Sequence, residues 1–419
     1  MKQVLFLTPE MPWPPHSGGR IKSFNLIKYL AKNYSLAVGS LLKGNDIDHV
    51  EEFSDAVNLT NLFTSSINVK RTVMNFAKSI VKRIPLNVLR NQDEKFAELV
   101  RDQIEHCDTI FVDHYEMMQY VPANFSGTVI LHQHNAYYVL WERFAEQGSG
   151  LIKRGAALFE SRRVKKWERN CCERADLVFA APNDIDMLAR IGVDKDKMAP
   201  TLHLGDESHI TKPDLSWSNT DLSLLYVGHL GWEPNVQGLQ WFIKNVWPEL
   251  KQSFPTLILN IIGANPDPRL LDVAAGDANI LFEGFQKDLE PWMTSCRVMI
   301  APLLVGSGIK VKVLTAMARG IPLATTPTGV EGLQVSNFKE LTIAKDASEM
   351  VDNIHTTLSN RLVWERLARE SRRTIRDRYT WRHVFNTMQS RMDLLETGKV
   401  ISNPNVHNPQ LGSVAVVTS

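Results

Sequence analysis

The chain has 419 residues, 44% of them hydrophobic and 22% charged, with a formal net charge of +1. That length exceeds one ordinary hydrophobic core and predicts two domains, while the near-neutral balance gives no global basis for binding nucleic acid. Cys107, Cys171, Cys172 and Cys296 have neither the spacing of a disulfide framework nor a Cys-x-x-Cys pair, so a reducing, cytoplasmic compartment is expected.

Taken in chain order, Val4 to Thr8 is an apolar strand that runs quickly into a proline cluster, and reads as a first core strand rather than a signal peptide. Ile21 to Asn33 has helical spacing. Ser35 to Leu41, Asp108 to Val112 and Thr128 to His132 read as further strands, Leu151 to Arg174 as a long charged helix, and Leu177 to Ala180 as a strand. Asn183 is placed to cap the helix after it. Residues Thr211 to Thr220 are polar and turn-rich, which marks a linker. A second series follows, with strands at Leu224 to Val227, Leu257 to Ile262, Ile280 to Phe282, Val298 to Ala301 and Leu323 to Thr326, then helix over most of Glu349 to Leu395. No run approaches the ~20 apolar residues needed to span a bilayer.

Apolar strands separated by amphipathic helices imply parallel α/β sheets. The fold class expected is two Rossmann-like, doubly wound domains facing a cleft. Their expected bounds are residues 1–210, a linker at 211–220, residues 221–375, a terminal helix at 376–396 returning to the first domain, and a loose tail at 397–419.

The most informative stretch is Ala301 to Pro322, a buried strand end followed by the glycine-rich turn Gly306-Ser307-Gly308 and a short helix. Glycines let a ligand approach the backbone closely. The helix start directs N–H groups and a positive dipole end at the turn, beside Lys310 and Lys312, so the site suits a diphosphate. The first strand runs into a second such loop, Pro9 to Arg20, stiffened by prolines and ending in Ser17-Gly18-Gly19. It is equally readable as a rigid connector. His134 follows a strand's C-terminal end, where α/β folds keep functional groups, although a lone histidine there is equally a structural one, and His132 is expected to point to the other face and pack. Asp184-Ile185-Asp186 offers paired carboxylates, but in a first helical turn acids serve the dipole, so no metal site is assigned there. Adjacent Cys171-Cys172 lack zinc-ligand spacing. Lys70-Arg71, Lys78 and Lys82-Arg83, with Val73, Met74, Phe76, Ile80 and Val81 between them, form a basic amphipathic stretch. It suits either a solvated helix face or peripheral contact with a membrane surface.

Ala301 to Pro322, with Thr328 to Leu333, resembles the donor-site signature of the group 1 (family 4) retaining glycosyltransferases, which have the GT-B fold. The family pattern has two glutamates separated by seven residues; here Ser307 and Thr315 occupy those positions. The resemblance implies a metal-independent enzyme without a cofactor. It would move a hexose from a nucleoside diphosphate sugar to a carbohydrate or lipid-linked acceptor hydroxyl with retention, in cell-surface polysaccharide or glycolipid synthesis, in the cytoplasm or peripherally at the inner membrane face. It makes His134 a contact of the transferred sugar, and Lys310 and Lys312 stabilisers of the leaving diphosphate. It places Ser17, Gly18, Gly19, His229, Gly284, Phe285, Gly306, Ser307, Gly308, Thr315 and Glu331 around the donor. With both family glutamates replaced, a non-catalytic GT-B subunit that binds a partner, and a nucleotide-sugar epimerase on the same fold, stay open as alternatives.

Overall fold

The computed structural model describes residues 1–15, 17–70, 72–147, 150–202, 204, 207–306 and 309–397. Two parallel sheets organise them. The first holds β1 (Gln3–Thr8), β2 (Ser35–Leu42), β3 (Asn61–Ser66), β4 (Thr109–Asp113), β5 (Thr128–His132), β6 (Leu177–Ala180) and β7 (Met198–Pro200), in the order β3-β2-β1-β4-β5-β6-β7. The second holds β8 (Asp221–Val227), β9 (Ile258–Ile262), β10 (Ile280–Gly284), β11 (Cys296–Ala301), β12 (Leu323–Thr325) and β13 (Thr342–Ile343), in the order β10-β9-β8-β11-β12-β13.

The central strands are apolar on both faces because helices cover both faces. All five residues of β4 are buried, as are five of the six in β1. Such strands lack alternation and read as continuous runs, which is why the expected α/β class holds. Strand order reverses between β1 and β4 in one sheet and between β8 and β11 in the other. These are the topological switch points, where loops leaving the carboxyl ends of adjacent strands diverge and open a crevice.

The stretch Thr211 to Thr220 is not a free connector. Arg372 donates to the carbonyls of Ile210 at 2.9 Å and Lys212 at 2.6 Å, and Arg319 to that of Pro213 at 2.8 Å. Arg297 lies over the Trp217 ring at 4.1 Å and donates to the Thr220 carbonyl. The last described helix, Trp381–Glu396, packs on the first sheet's side of the molecule. Phe385 stacks on Tyr29 with centroids 4.4 Å apart, and the Tyr29 hydroxyl donates to Gln389 at 2.8 Å. Asn183 does not cap the helix after β6. That helix starts at Pro182 with Ala181 as its N-cap, because proline's fixed φ favours the first helical position.

Candidate active site

Both switch points face the same cleft. In the first domain, helix Gly18–Asn33 begins at the end of the loop from β1, and the Oγ of its N-cap Ser17 accepts the Arg20 N–H at 3.4 Å. Of the two glycines here, Gly18 has a steric reason, and Gly19 lies in ordinary contact range of a histidine. A Cβ on Gly18 would lie 3.2 Å from a Val311 methyl of the second domain, and one on Gly19 would lie 3.9 Å from His134 Nδ1. The start of the Gly18 helix thus meets the start of helix Val311–Arg319, whose N-cap is Lys310. Two positive dipole ends converge on one place.

His134 sits beside them, buried, with Nε2 donating to Asp113 Oδ1 at 2.7 Å. His132 shares that oxygen through Nδ1 at 2.8 Å. The expectation that His132 faces away is therefore corrected: in extended chain, residues i and i+2 lie on one side, so 132 and 134 belong together. The other carboxylate oxygen of Asp113 accepts from Ser23 Oγ at 2.6 Å and has Thr8 Oγ1 at 3.2 Å. Burial alone pushes this carboxyl up, but the surrounding histidines and their hydrogen bonds outweigh it and hold it well below the usual range. The histidines move the other way. Burial takes His134 and His132 down to about 4 each, against the pull of Asp113. At neutral pH, Asp113 is the ion and His134 a neutral imidazole with its proton on Nε2. Its Nδ1, on the Gly19 side, is the accepting nitrogen.

Three further groups complete this floor, none of them singled out by the sequence. His114 follows β4 with φ 69° and ψ 140°, a strained conformation for a residue with a side chain. Its ring stacks on His134 at 3.7 Å, and its backbone N–H is held by the His132 carbonyl at 2.9 Å. Lys22 is buried, and among the described residues its Nζ has no hydrogen-bond partner. Burial lowers it to about 7, opposed by Asp113 and Asp184. Arg143, on helix Tyr137–Gln147, crosses between domains and donates to the Gly306 carbonyl. The signals for two of these were present: Asp113-His114 ends an apolar strand, and Lys22 falls on the buried stripe of its helix with Leu26 and Leu30. Nothing in the charged run around Arg143 marks it.

The second domain presents the glycine turn. Gly306 is described; Ser307 and Gly308 lie outside the described residues. Lys310 folds back over Gly306, its Cε 3.1 Å from a Cβ there, and its Nζ is 3.8 Å from Glu331 Oε2. Burial lowers Lys310, with Glu331 opposing and Arg143 adding to the fall. Lys310 and Arg143, from opposite domains, therefore meet at this turn. Lys312 does something different. Its Nζ donates to Tyr226 Oη and Asn235 Oδ1, each at 3.1 Å, and sits 4.5 Å above the Tyr226 ring beneath the loop after β8. Burial, then Lys310, takes it to about 7. His229 is exposed and accepts the Gly231 N–H on Nδ1 at 3.1 Å, within its own loop. Thr315 lies one turn beyond Val311 on the same helix, half-buried. Gly284 ends β10 at φ 68°, and the Phe285 ring beside it is exposed. The loop of Glu331 faces the first domain: a Cβ on Gly332 would lie 3.3 Å from Asn183 Oδ1. Asp184 and Asp186 do not share a site. Asp184 is buried and accepts the Ala136 N–H at 3.1 Å, whereas Asp186 pairs on the surface with Lys195 at 3.0 Å.

A cleft between two switch points, floored by glycine-opened helix starts and cations from both sides, is a place for an anionic ligand. Residues 221–360 match the family model described as glycosyl transferases group 1. The chain has the GT-B fold, and the family match falls on its second domain. A Klebsiella pneumoniae relative, described as an uncharacterized 44.6 kDa protein in the cps region, is 20% identical over 408 residues, covering 93% of this chain and 99% of its own. The crystal structure of HepE from Anabaena in complex with UDP superposes with a TM-score of 0.66 at 14% identity, over 95% of this chain and 100% of that one. Sucrose-phosphate synthase from Thermosynechococcus elongatus gives 0.66 at 15% identity, over 95% and 100%. No described helix is long and apolar enough to cross a membrane.

Proposed function

We propose that the protein transfers a hexose from a nucleoside diphosphate sugar to the hydroxyl of a carbohydrate or lipid-linked acceptor, with retention of configuration and without a metal ion. The observation that carries this reading is the meeting of Gly18 and Val311, which brings two helix starts, Lys310, Arg143 and His134 to one cleft. The binding of UDP and of UDP-glucose by HepE, on the same fold, makes UDP the first nucleotide to try.

In this reading the diphosphate lies between the Gly18-Gly19 helix start and Lys310, with Arg143 closing from the first domain. The bond from the sugar's anomeric carbon to the phosphate oxygen breaks, and its electron pair goes to the diphosphate. Helix dipoles and cations already in place stabilise that charge in a water-poor site. The acceptor oxygen bonds the anomeric carbon on the same face, and its proton passes to the departing phosphate oxygen. His134, neutral and fixed by Asp113, accepts a sugar hydroxyl on Nδ1 and orients the ring. Lys312 braces the loop after β8 rather than touching phosphate.

The test is purified protein with a panel of nucleotide-sugars, scored for hydrolysis and transfer, with calorimetry of UDP and GDP. Turnover of one donor, with retained anomeric configuration in the product, is expected. Absence of both binding and turnover across the panel overturns the reading.

A further inference from the structure

The helix Val73–Val81 is amphipathic with its apolar side outward. Val73, Met74, Ala77, Ile80 and Val81 fall in one sector of roughly 120° at 3.6 residues per turn. That sector faces solvent: Val73 is 86% exposed, Met74 76% and Val81 83%. Inward lies Ser79, buried, whose carbonyl and hydroxyl accept from Arg163 at 2.7 and 3.1 Å. The same guanidinium lies over the ring of Phe159, on helix Leu151–Arg174, at 5.4 Å, and Phe159 is itself exposed.

The segment's own charge is of one sign. Residues 67–92 contain six basic side chains and no acidic one, in a chain whose net charge is only +1. Contiguous exposed apolar surface marks an interaction site, and a rim of lysine and arginine selects an anionic partner. A second copy of this face would bring like charges together.

We propose that this face docks on an anionic lipid bilayer, with Val73, Met74 and Val81 entering the headgroup boundary and Lys78 and Lys82 on lipid phosphates. This does not depend on the transferase reading. The two connect through the long helix, because its Glu168 accepts the Tyr137 and Tyr138 N–H groups at 2.8 and 2.9 Å and so seats the helix bearing Arg143.

The experiment is co-sedimentation of the full chain with phosphatidylcholine vesicles, with and without phosphatidylglycerol. Binding only to the anionic vesicles, weakening with salt, is expected. Val73→Asp with Val81→Asp, and separately Lys78→Glu with Lys82→Glu, should each lower binding at least about tenfold while thermal unfolding and nucleotide affinity stay unchanged. Equal binding to neutral vesicles, no vesicle binding by the unmodified chain, or binding unaffected by both pairs overturns the proposal. So does a dimer in gel filtration that Val73→Asp with Val81→Asp splits, since a second copy would then cover the face.

Discussion

His134 and Asp113 share a hydrogen bond of 2.7 Å in which the histidine donates from Nε2, leaving Nδ1 as the acceptor on the Gly19 side. Asp113 is thus a positioning residue, setting the tautomer of a histidine it does not replace. Asp113→Asn removes the charge that holds this tautomer. We expect kcat to fall about 10- to 100-fold, the loss of one charge-assisted bond, with KM for the donor nearly unchanged. His134→Ala should likewise lower turnover more than nucleotide affinity. Collapse of UDP binding with intact turnover at saturating donor would remove His134 from the sugar.

The two lysines should separate. Lys310→Ala and Arg143→Ala each remove a cation at the Gly306 turn and should weaken nucleoside diphosphate binding at least about tenfold. Lys312→Ala leaves Tyr226 and Asn235 without a shared partner and should lower stability by about 1–3 kcal/mol, with a smaller effect on affinity. Calorimetry and thermal unfolding of the three variants decide this, and unchanged affinity in all three rejects the phosphate site.

Acidification should act on the histidine floor. His114 lies at about 3, and His132 and His134 at about 4, all lowered chiefly by burial from an ordinary 6.5. Between pH 6.5 and 4 the unfolded chain binds protons that the folded chain refuses. The contribution of these residues to stability is therefore full above 6.5 and declines as pH falls through that window. Over the range where the protein stays folded, the acid limb of kcat should lie well below 6.5. A limb at 6.5 would mean that His134 titrates as an exposed histidine.

Chelation is predicted to leave activity intact. Asp113, His132 and His134 have ligand atoms within 4.8 Å of one another, a grouping that can hold a cation, yet Asp113 Oδ1 already accepts from both rings. Loss of activity with EDTA, restored by one divalent metal, would place an ion there and overturn the metal-independent mechanism.

Thr315→Glu restores the carboxylate of the family pattern on a half-buried helix position. A glutamate can accept two hydroxyls where threonine offers one short neutral group, so nucleotide affinity should hold or rise. A folded variant that no longer binds UDP would show a site rebuilt around threonine.

Much of the fold is legible in the sequence because buried parallel strands carry continuous apolar runs, as β1, β4, β8 and β11 do at residues 4–7, 110–112, 224–227 and 298–301. Strands without that property escaped it. Asn61–Ser66 is a polar edge strand, and Met198–Pro200 and Thr342–Ile343 are too short to show a pattern. In the site, local chemistry marked what local chemistry can: the Gly18-Gly19 helix start, the turn at Gly306, and His134 beyond a strand end. The sequence by itself determined that two doubly wound domains each carry a glycine-opened helix start. Only the tertiary structure decided that Gly18 meets Val311, that Arg143 reaches Gly306 across 163 residues of chain, that Asp113 binds both histidines, and that Lys312 turns away beneath Tyr226. Those choices depend on burial and on contacts between segments remote in sequence, and spacing along the chain carries no record of either.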